Sequence, residues 1–141
     1  MDIKPVTSSF SVADQVTAAD FSQLKALGYQ TLICNRPDGE VEGQPAAEAL
    51  AAEARAQGFD WHWIPISSGH FTDEAVADFG QALAGSEAVL AFCRTGTRSI
   101  TLWALAQAAE KPAAELLGLA AAAGYDLSAL APRLSAASAK R

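Results

Sequence analysis

The chain has 141 residues, half of them hydrophobic and 18% charged, which is the length and balance of a single globular domain. A net charge of −6 and a pI near 4.7 argue against nucleic acid and anionic membranes as partners. Two cysteines make no disulfide framework, and their positions relative to the two histidines predict no metal site. No apolar stretch is long enough to span a membrane or to form a signal peptide, so a cytoplasmic protein is expected.

The predicted elements alternate between strands and helices as far as the second cysteine, and only helices follow. Weak alternation from Phe10 to Val16 predicts a short edge strand, and the apolar run Thr31–Cys34 predicts a buried one. The predicted strands are 10–16, 31–34, 60–66 and 88–92, and the predicted helices are 17–27, 45–56, 72–83, 98–110, 112–123 and 126–134. This order indicates an α/β fold with a mostly parallel sheet flanked by helices. We expect one domain over residues 1–134 and a flexible C-terminal tail over 135–141.

The segment that carries most chemical information begins at Cys93. An apolar strand delivers this cysteine to the carboxyl edge of the sheet, where open α/β sheets bind ligands. The loop Arg94–Arg98 follows, with Gly96 at its centre and a helix at its end. Free amides of such a loop form an anion-binding nest that stabilises a thiolate, and a guanidinium such as that of Arg98 offers two parallel donors to an oxyanion. We therefore predict that Cys93 is a nucleophile, with Arg98 binding the oxyanion.

Other residues of the same segment are assigned supporting roles. Arg94, Thr95, Gly96 and Thr97 form the predicted phosphate-binding loop together with Arg98. The hydroxyl of Thr97 or Ser99 is expected to donate a proton to the thiolate, which would make the sulfur a better leaving group. No cofactor is expected, and the alanine-rich helices specify no particular oligomer.

The second cysteine, Cys34, ends the strand that we expect beside the Cys93 strand. Thiols at neighbouring strand ends come within reach of a disulfide, so Cys34 is a candidate redox partner of Cys93. The alternative is that Cys34 is a small buried hydrophobic residue.

The chain resembles a bacterial family known as the β-lactamase-hydrolase-like phosphatase-like domain. The resemblance covers nearly the whole chain and is clearest at residues 10–12, 35–40, 93–99 and 124–127. These domains are similar in fold to dual-specificity and tyrosine phosphatases. The resemblance thus implies a phosphate-bearing or other oxyanion substrate, attack of Cys93 on phosphorus, and binding of the equatorial oxygens by Arg98.

Two departures from the phosphatase pattern leave alternatives open. Four residues rather than five separate Cys93 from Arg98, and Phe92 replaces the usual preceding histidine. The shorter loop resembles that of rhodanese-type sulfurtransferases, whose cysteine carries a persulfide. A catalytically weak module that binds an anion is the third alternative.

A further departure from the phosphatase pattern concerns the general acid. The region in which phosphatases usually place an aspartate, residues 64–70, contains none. His70 is one candidate acid, since its ordinary pKa lies near 6.5, and Asp38 or Glu40 on another loop at the same sheet edge is another. Turn formation explains Asp38 and Glu40 as well, and an exposed loop position explains His70.

Overall fold

The protein is described here by a computed structural model that covers residues 1–67 and 69–138. In this part of the chain, five strands form one sheet in the spatial order β1-β2-β5-β3-β4. The strands are β1 (Ile3–Pro5), β2 (Phe10–Ala13), β3 (Thr31–Cys34), β4 (Asp60–Trp63) and β5 (Val89–Phe92). Strand β1 pairs antiparallel with β2, and the other three pairings are parallel.

Helices connect the parallel strands and cover the sheet. They are α1 (Phe21–Ala26), α2 (Ala47–Ala56), α3 (Asp73–Ala84), α4 (Thr97–Gln107), α5 (Ala113–Ala122) and α6 (Ala131–Ser138), with short 3₁₀ turns at Ala18–Asp20 and Ser128–Leu130. Local signals explain several of the boundaries. The Thr72 hydroxyl accepts a hydrogen bond from the Ala75 amide at 3.1 Å and caps α3. None of the described helices is long and apolar enough to cross a membrane.

The predicted α/β class and the mostly parallel sheet are confirmed, but two predicted strands differ from the structure. The segment 10–16 was expected at an edge, whereas β2 is fully buried between β1 and β5. The edge strand on this side of the sheet is β1. The sequence did not predict β1, because Ile3–Pro5 is only three residues long and includes a proline. The strand predicted to reach Ile66 ends at Trp63.

The C-terminal helix also differs from the predicted boundary. Helix α6 continues to Ser138, four residues beyond the expected end of the domain, and the rest of the predicted tail, 139–141, lies outside the described residues.

Alternation along the strands divides the core into two layers. Leu90 and Phe92 of β5 pack on the side of α1 and α2, whereas Val89 and Ala91 pack on the side of α3 and α4. Both faces of β5 are completely covered, and each large apolar side chain buried there contributes about 1.5–3 kcal/mol. Strand β5 is thereby a well-packed support for Cys93 and the loop that follows it.

Candidate active site

The loop between β5 and α4 folds back over the sulfur of Cys93. The amide of Gly96 donates a hydrogen bond to Cys93 Sγ at 3.1 Å. Gly96 has a φ of 91°, a left-handed conformation that favours glycine, and its carbonyl accepts the first helical hydrogen bond from Ile100 at 3.0 Å. Residue 96 therefore turns the chain into α4 and points its amide at the thiol.

The loop amides near the helix start add to this environment. Helix α4 begins at Thr97, and the first amides of a helix have no acceptor within it. Their partial positive charge favours an anion at the helix start. Cys93 itself is completely buried, so its sulfur lies inside the turn and is not exposed on its rim.

Arg98 is held beside this loop by an acidic residue from far along the chain. Its Nη1 donates to Glu40 Oε2 at 2.8 Å and its Nη2 donates to Glu40 Oε1 at 2.9 Å, which is a bidentate pair. Nη1 also donates to the carbonyl oxygen of Ile66 at 2.9 Å. Only 17% of the Arg98 side chain is exposed.

Glu40 connects Arg98 to a second, buried arginine. Arg36 Nε donates to Glu40 Oε1 at 2.8 Å, and Arg36 Nη1 donates to Gln15 Oε1 at 3.0 Å. Hydrogen bonds from Arg98, reinforced by that from Arg36, lower the pKa of Glu40 to about 2. The hydrogen bond to Glu40 raises the pKa of Arg98, and a negative charge at Cys93 raises it further. Two cations, Arg36 and Arg98, thus share one carboxylate, and Arg98 is the one that interacts electrostatically with Cys93.

Two N–H donors of Arg98 are not engaged by Glu40 or Ile66, and they form a fork. Glu40 and Ile66 engage both Nη1 donors and one Nη2 donor. The Nε donor and the second Nη2 donor lie on the same edge of the planar guanidinium and can bind two oxygens in parallel. The guanidinium lies within electrostatic range of Cys93, because a negative charge on that sulfur is among the causes that raise the pKa of Arg98.

Ser99 makes a different contact from the one predicted. Its hydroxyl donates to Asn35 Oδ1 at 2.8 Å, so its proton is directed away from the predicted acceptor, Cys93. Asn35 in turn donates through Nδ2 to the carbonyl of Ile64 at 2.9 Å, and its own carbonyl accepts from the Ile66 amide at 3.0 Å. Both Ser99 and Asn35 are fully buried, and their pairing ties α4 to the loop that supplies an acceptor for Arg98.

The predicted loop residues Arg94, Thr95 and Thr97 are all exposed. The hydroxyls of Thr95 and Thr97 share a hydrogen bond of 3.0 Å, which gives the Thr97 hydroxyl a partner other than Cys93. Of the predicted site residues, Gly96 makes a hydrogen bond to the cysteine, and Arg98 interacts with it electrostatically.

The candidate acids lie in two different surroundings. Asp38 Oδ1 accepts a hydrogen bond from the Ala47 amide at 2.8 Å, which satisfies the first amide of α2 and explains Asp38 by helix capping. His70 is an exposed loop residue. Glu40 is the acidic residue that lies at the site, but its lowered pKa keeps it ionised near neutral pH.

Cys34 lies in the strand next to β5, as predicted, with its Cα opposite that of Phe92. It is a free thiol, as is Cys93. Its Sγ donates to the Arg36 carbonyl at 3.7 Å, and burial raises the pKa of Cys34 to about 12. Cys34 is therefore an un-ionised thiol in the apolar layer formed with α1 and α2.

Two functional contacts were not anticipated from the sequence. The hydrogen bonds between Glu40 and Arg98 link residues 58 positions apart, and the hydroxyl of Tyr125 donates to the Thr95 carbonyl at 2.8 Å across 30 positions. Neither contact has a local sequence signal, although both Glu40 and Tyr125 lie in segments that carry the family resemblance. Within residues 1–67 and 69–138, no group of three or more potential ligands from histidine, cysteine, aspartate and glutamate is arranged to hold a metal.

Comparison with known proteins found a matching family model and similar sequences. The family model described as "Beta-lactamase hydrolase-like protein, phosphatase-like domain" matches residues 2–110. A beta-lactamase hydrolase-like protein of Agrobacterium fabrum is 38% identical over 104 residues, which are 73% of this chain and 24% of that protein. The chain thus spans about a quarter of the length of this curated relative.

Solved structures share the fold over almost the entire chain. The crystal structure of a proposed phosphatase from Neisseria meningitidis has a TM-score of 0.82 and 36% identity, covering 97% of this chain and 99% of that one. The structure of TpbA from P. aeruginosa, in complex with phosphotyrosine, has a TM-score of 0.65 and 15% identity, covering 99% of this chain and 91% of the other. At that identity the similarity concerns the fold alone.

Proposed function

Because the chain belongs to the family of phosphatase-like domains of beta-lactamase hydrolase-like proteins, we propose that it is a cysteine-dependent phosphatase that acts on phosphomonoesters. One observation carries the proposal. The sulfur of Cys93 lies under the amide of Gly96, at 3.1 Å, and within the influence of the Arg98 guanidinium. A sulfur surrounded by amide and guanidinium donors is suited to exist as a thiolate and to receive an oxyanion.

In the proposed reaction, Cys93 Sγ attacks the phosphorus atom of the ester. An S–P bond forms, the bond from phosphorus to the leaving oxygen breaks, and that oxygen departs with the bonding electrons and takes a proton from solvent water. Water then attacks phosphorus, the S–P bond breaks, and inorganic phosphate and the thiolate of Cys93 are released. Arg98 binds two phosphoryl oxygens through its Nε and Nη2 donors in both steps.

Glu40 serves this reaction by orienting Arg98. Its bidentate contact occupies the terminal edge of the guanidinium, so the Nε edge is the one presented to the substrate. With a pKa of about 2, Glu40 is a carboxylate at neutral pH and has no proton to give a leaving group. Asp38 caps α2 and is not available as the acid either. We therefore expect aryl phosphates, which leave easily, to be much better substrates than alkyl phosphates.

Sulfur transfer is the second candidate, and two observations favour it. Only four residues separate Cys93 from Arg98, which leaves a narrower loop than five would, and the Cys93 side chain has no exposed surface. A single sulfur atom needs less room there than a phosphoryl group. In this alternative, the thiolate attacks the outer sulfur of thiosulfate, the S–S bond breaks, sulfite leaves, and the Cys93 persulfide passes its outer sulfur to cyanide to give thiocyanate.

A paired assay on the purified chain tests the two candidates. Hydrolysis of para-nitrophenyl phosphate is measured beside thiocyanate formation from thiosulfate and cyanide, for the wild type, Cys93→Ser and Cys34→Ser. We expect Cys93→Ser to reduce phosphatase activity by at least about 10³-fold and Cys34→Ser to leave it within about 2-fold.

Each outcome has a defined meaning. Phosphatase activity that survives in Cys93→Ser would overturn the nucleophile assignment. Thiocyanate formation that depends on Cys93, without ester hydrolysis, would replace the phosphatase by the sulfurtransferase. Binding of inorganic phosphate without either turnover would identify the chain as an anion-binding module and contradict both enzymatic candidates.

A further inference from the structure

One peptide group carries two hydrogen bonds on its opposite sides. The carbonyl oxygen of Thr95 accepts from the Tyr125 hydroxyl at 2.8 Å, and the amide of Gly96, in the same peptide group, donates to Cys93 Sγ at 3.1 Å. No peptide bond among the described residues is cis, and in a planar trans peptide the C=O and N–H bonds point in opposite directions. Fixing the carbonyl therefore fixes the direction of the amide.

The geometry points to Tyr125 as a positioning residue for Cys93, which holds the Thr95–Gly96 peptide so that its amide faces the sulfur. This inference rests on the proposed function, because it assigns Tyr125 a role only if Cys93 is the reacting group. Tyr125 acts through the peptide and is not itself placed in contact with a substrate.

The hydroxyl also strengthens the bond that it orients. A hydrogen bond donated to a carbonyl polarises its peptide, and hydrogen bonds in such a chain reinforce one another. With the Tyr125 hydroxyl on Thr95, the Gly96 amide becomes a better donor to an anionic sulfur. A phenylalanine at residue 125 would keep the ring and lose both the orientation and the polarisation.

The fit between Gly96 and Tyr125 indicates that this contact is specific. A Cβ on residue 96 would overlap the Tyr125 hydroxyl, so the phenol fills the space that the glycine leaves. The chain directs Tyr125 there by ending α5 at a left-handed Gly124 with a φ of 99°, after which the Tyr125 amide donates to the Ala120 carbonyl at 2.9 Å.

Tyr125 keeps its proton under the conditions in which Cys93 would react. Burial raises the pKa of the Tyr125 phenol above its ordinary value, and a negative charge at Cys93 raises it further. The hydroxyl therefore remains a donor at neutral pH. A thiolate at residue 93 favours this protonated state, so the two groups support each other's function.

The test compares Tyr125→Phe with Tyr29→Phe, the chain's other tyrosine. The Tyr29 hydroxyl also makes a hydrogen bond, to Ser11 Oγ at 2.9 Å, but it packs against the other core layer. The rate of iodoacetamide alkylation at Cys93 is measured as a function of pH, with the modified peptide located by mass spectrometry. Thermal unfolding of each variant is recorded alongside.

We expect Tyr125→Phe to slow alkylation of Cys93 at neutral pH by about 3- to 10-fold and to move the pH profile upward, the size of one hydrogen bond. Tyr29→Phe should leave the profile in place even if it lowers the unfolding temperature. An unchanged profile in Tyr125→Phe, or an equal change in Tyr29→Phe, would overturn the inference. If the wild type shows no preferential alkylation of Cys93, the proposed function fails, whatever Tyr125 does.

Discussion

The two cysteines lie at the carboxyl ends of neighbouring strands, but their sulfur atoms have opposite hydrogen-bond partners. Cys34 is the last residue of β3, Cys93 directly follows the neighbouring β5, and both are buried. The sulfur of Cys93 receives an amide hydrogen bond from Gly96, whereas the sulfur of Cys34 donates its own proton to the Arg36 carbonyl. A position at the carboxyl edge therefore does not determine the surroundings of a sulfur, because the residues that follow decide whether it meets donors or acceptors.

Alkylation is the measurement with the largest expected effect on this comparison. A pKa of about 12 leaves only ~10⁻⁵ of the Cys34 thiol ionised at about pH 7, and the thiolate is the reactive form. We expect iodoacetamide to modify Cys93 more than about 10³-fold faster than Cys34 at that pH. Because burial is similar at both residues, access does not explain such a difference.

Bound phosphate provides a control for this experiment, since it should protect Cys93 and leave Cys34 unchanged. Equal rates at the two cysteines across the pH range would mean that the loop after β5 does nothing to its sulfur.

Replacing the Arg98 guanidinium tests the other group that acts on Cys93. Arg98→Lys keeps a positive charge but removes the fork that binds two oxygens, so we expect kcat/KM for para-nitrophenyl phosphate to fall about 10²-fold. Arg94→Lys is the matched control, because Arg94 belongs to the same loop but is exposed. Full activity in Arg98→Lys would show that charge alone is sufficient at residue 98, and a loss of the same size in both variants would show that the effect is not specific to Arg98. Either outcome would contradict the role assigned to Arg98.

A smaller effect is expected from the carboxylate that orients Arg98. The pKa of Glu40 in the folded chain, about 2, lies below its ordinary value of 4.5, so its contribution to stability is complete above about pH 4.5 and is lost as pH falls toward 2. Solvent screening at this partly exposed residue limits the contribution to about 1 kcal/mol.

The free energy of unfolding, measured by urea denaturation, should therefore drop by about 1 kcal/mol more in the wild type than in Glu40→Gln between about pH 5 and about pH 2. Glu42→Gln, on an exposed neighbouring residue, serves as the control. Parallel pH curves for the wild type and Glu40→Gln would mean that the pair with Arg98 is not maintained in solution.

The sequence predicted the parts of this arrangement that depend on neighbours in the chain. The strand Thr31–Cys34 was placed with its observed bounds, the cap at Thr72 was identified, and the segment from Cys93 to Arg98 was found as a strand–loop–helix unit. These features follow from apolar runs, capping residues and a glycine, whose effects extend over only a few residues.

The contacts that complete the site could not be predicted in the same way. Ser99 was expected to serve Cys93, but its hydroxyl is bonded to Asn35, 64 residues away. Glu40 was considered as an acid or a turn residue, and its partner Arg98 lies on a different strand connection. Such pairings depend on the order of strands in the sheet, which alternation of strands and helices does not specify.

The central position of β5 also has a consequence for how the protein matures. The Cys93 loop obtains Glu40, Asn35 and Tyr125 from segments 30 to 64 residues away in sequence. Contacts of such long range close large loops, so we expect them to form only after the parallel strands have paired on both sides of β5. If Cys93 is the nucleophile that we propose, a partly folded chain carries at residue 93 a thiol that lacks these supporting groups, and its reactivity develops only when the fold is complete.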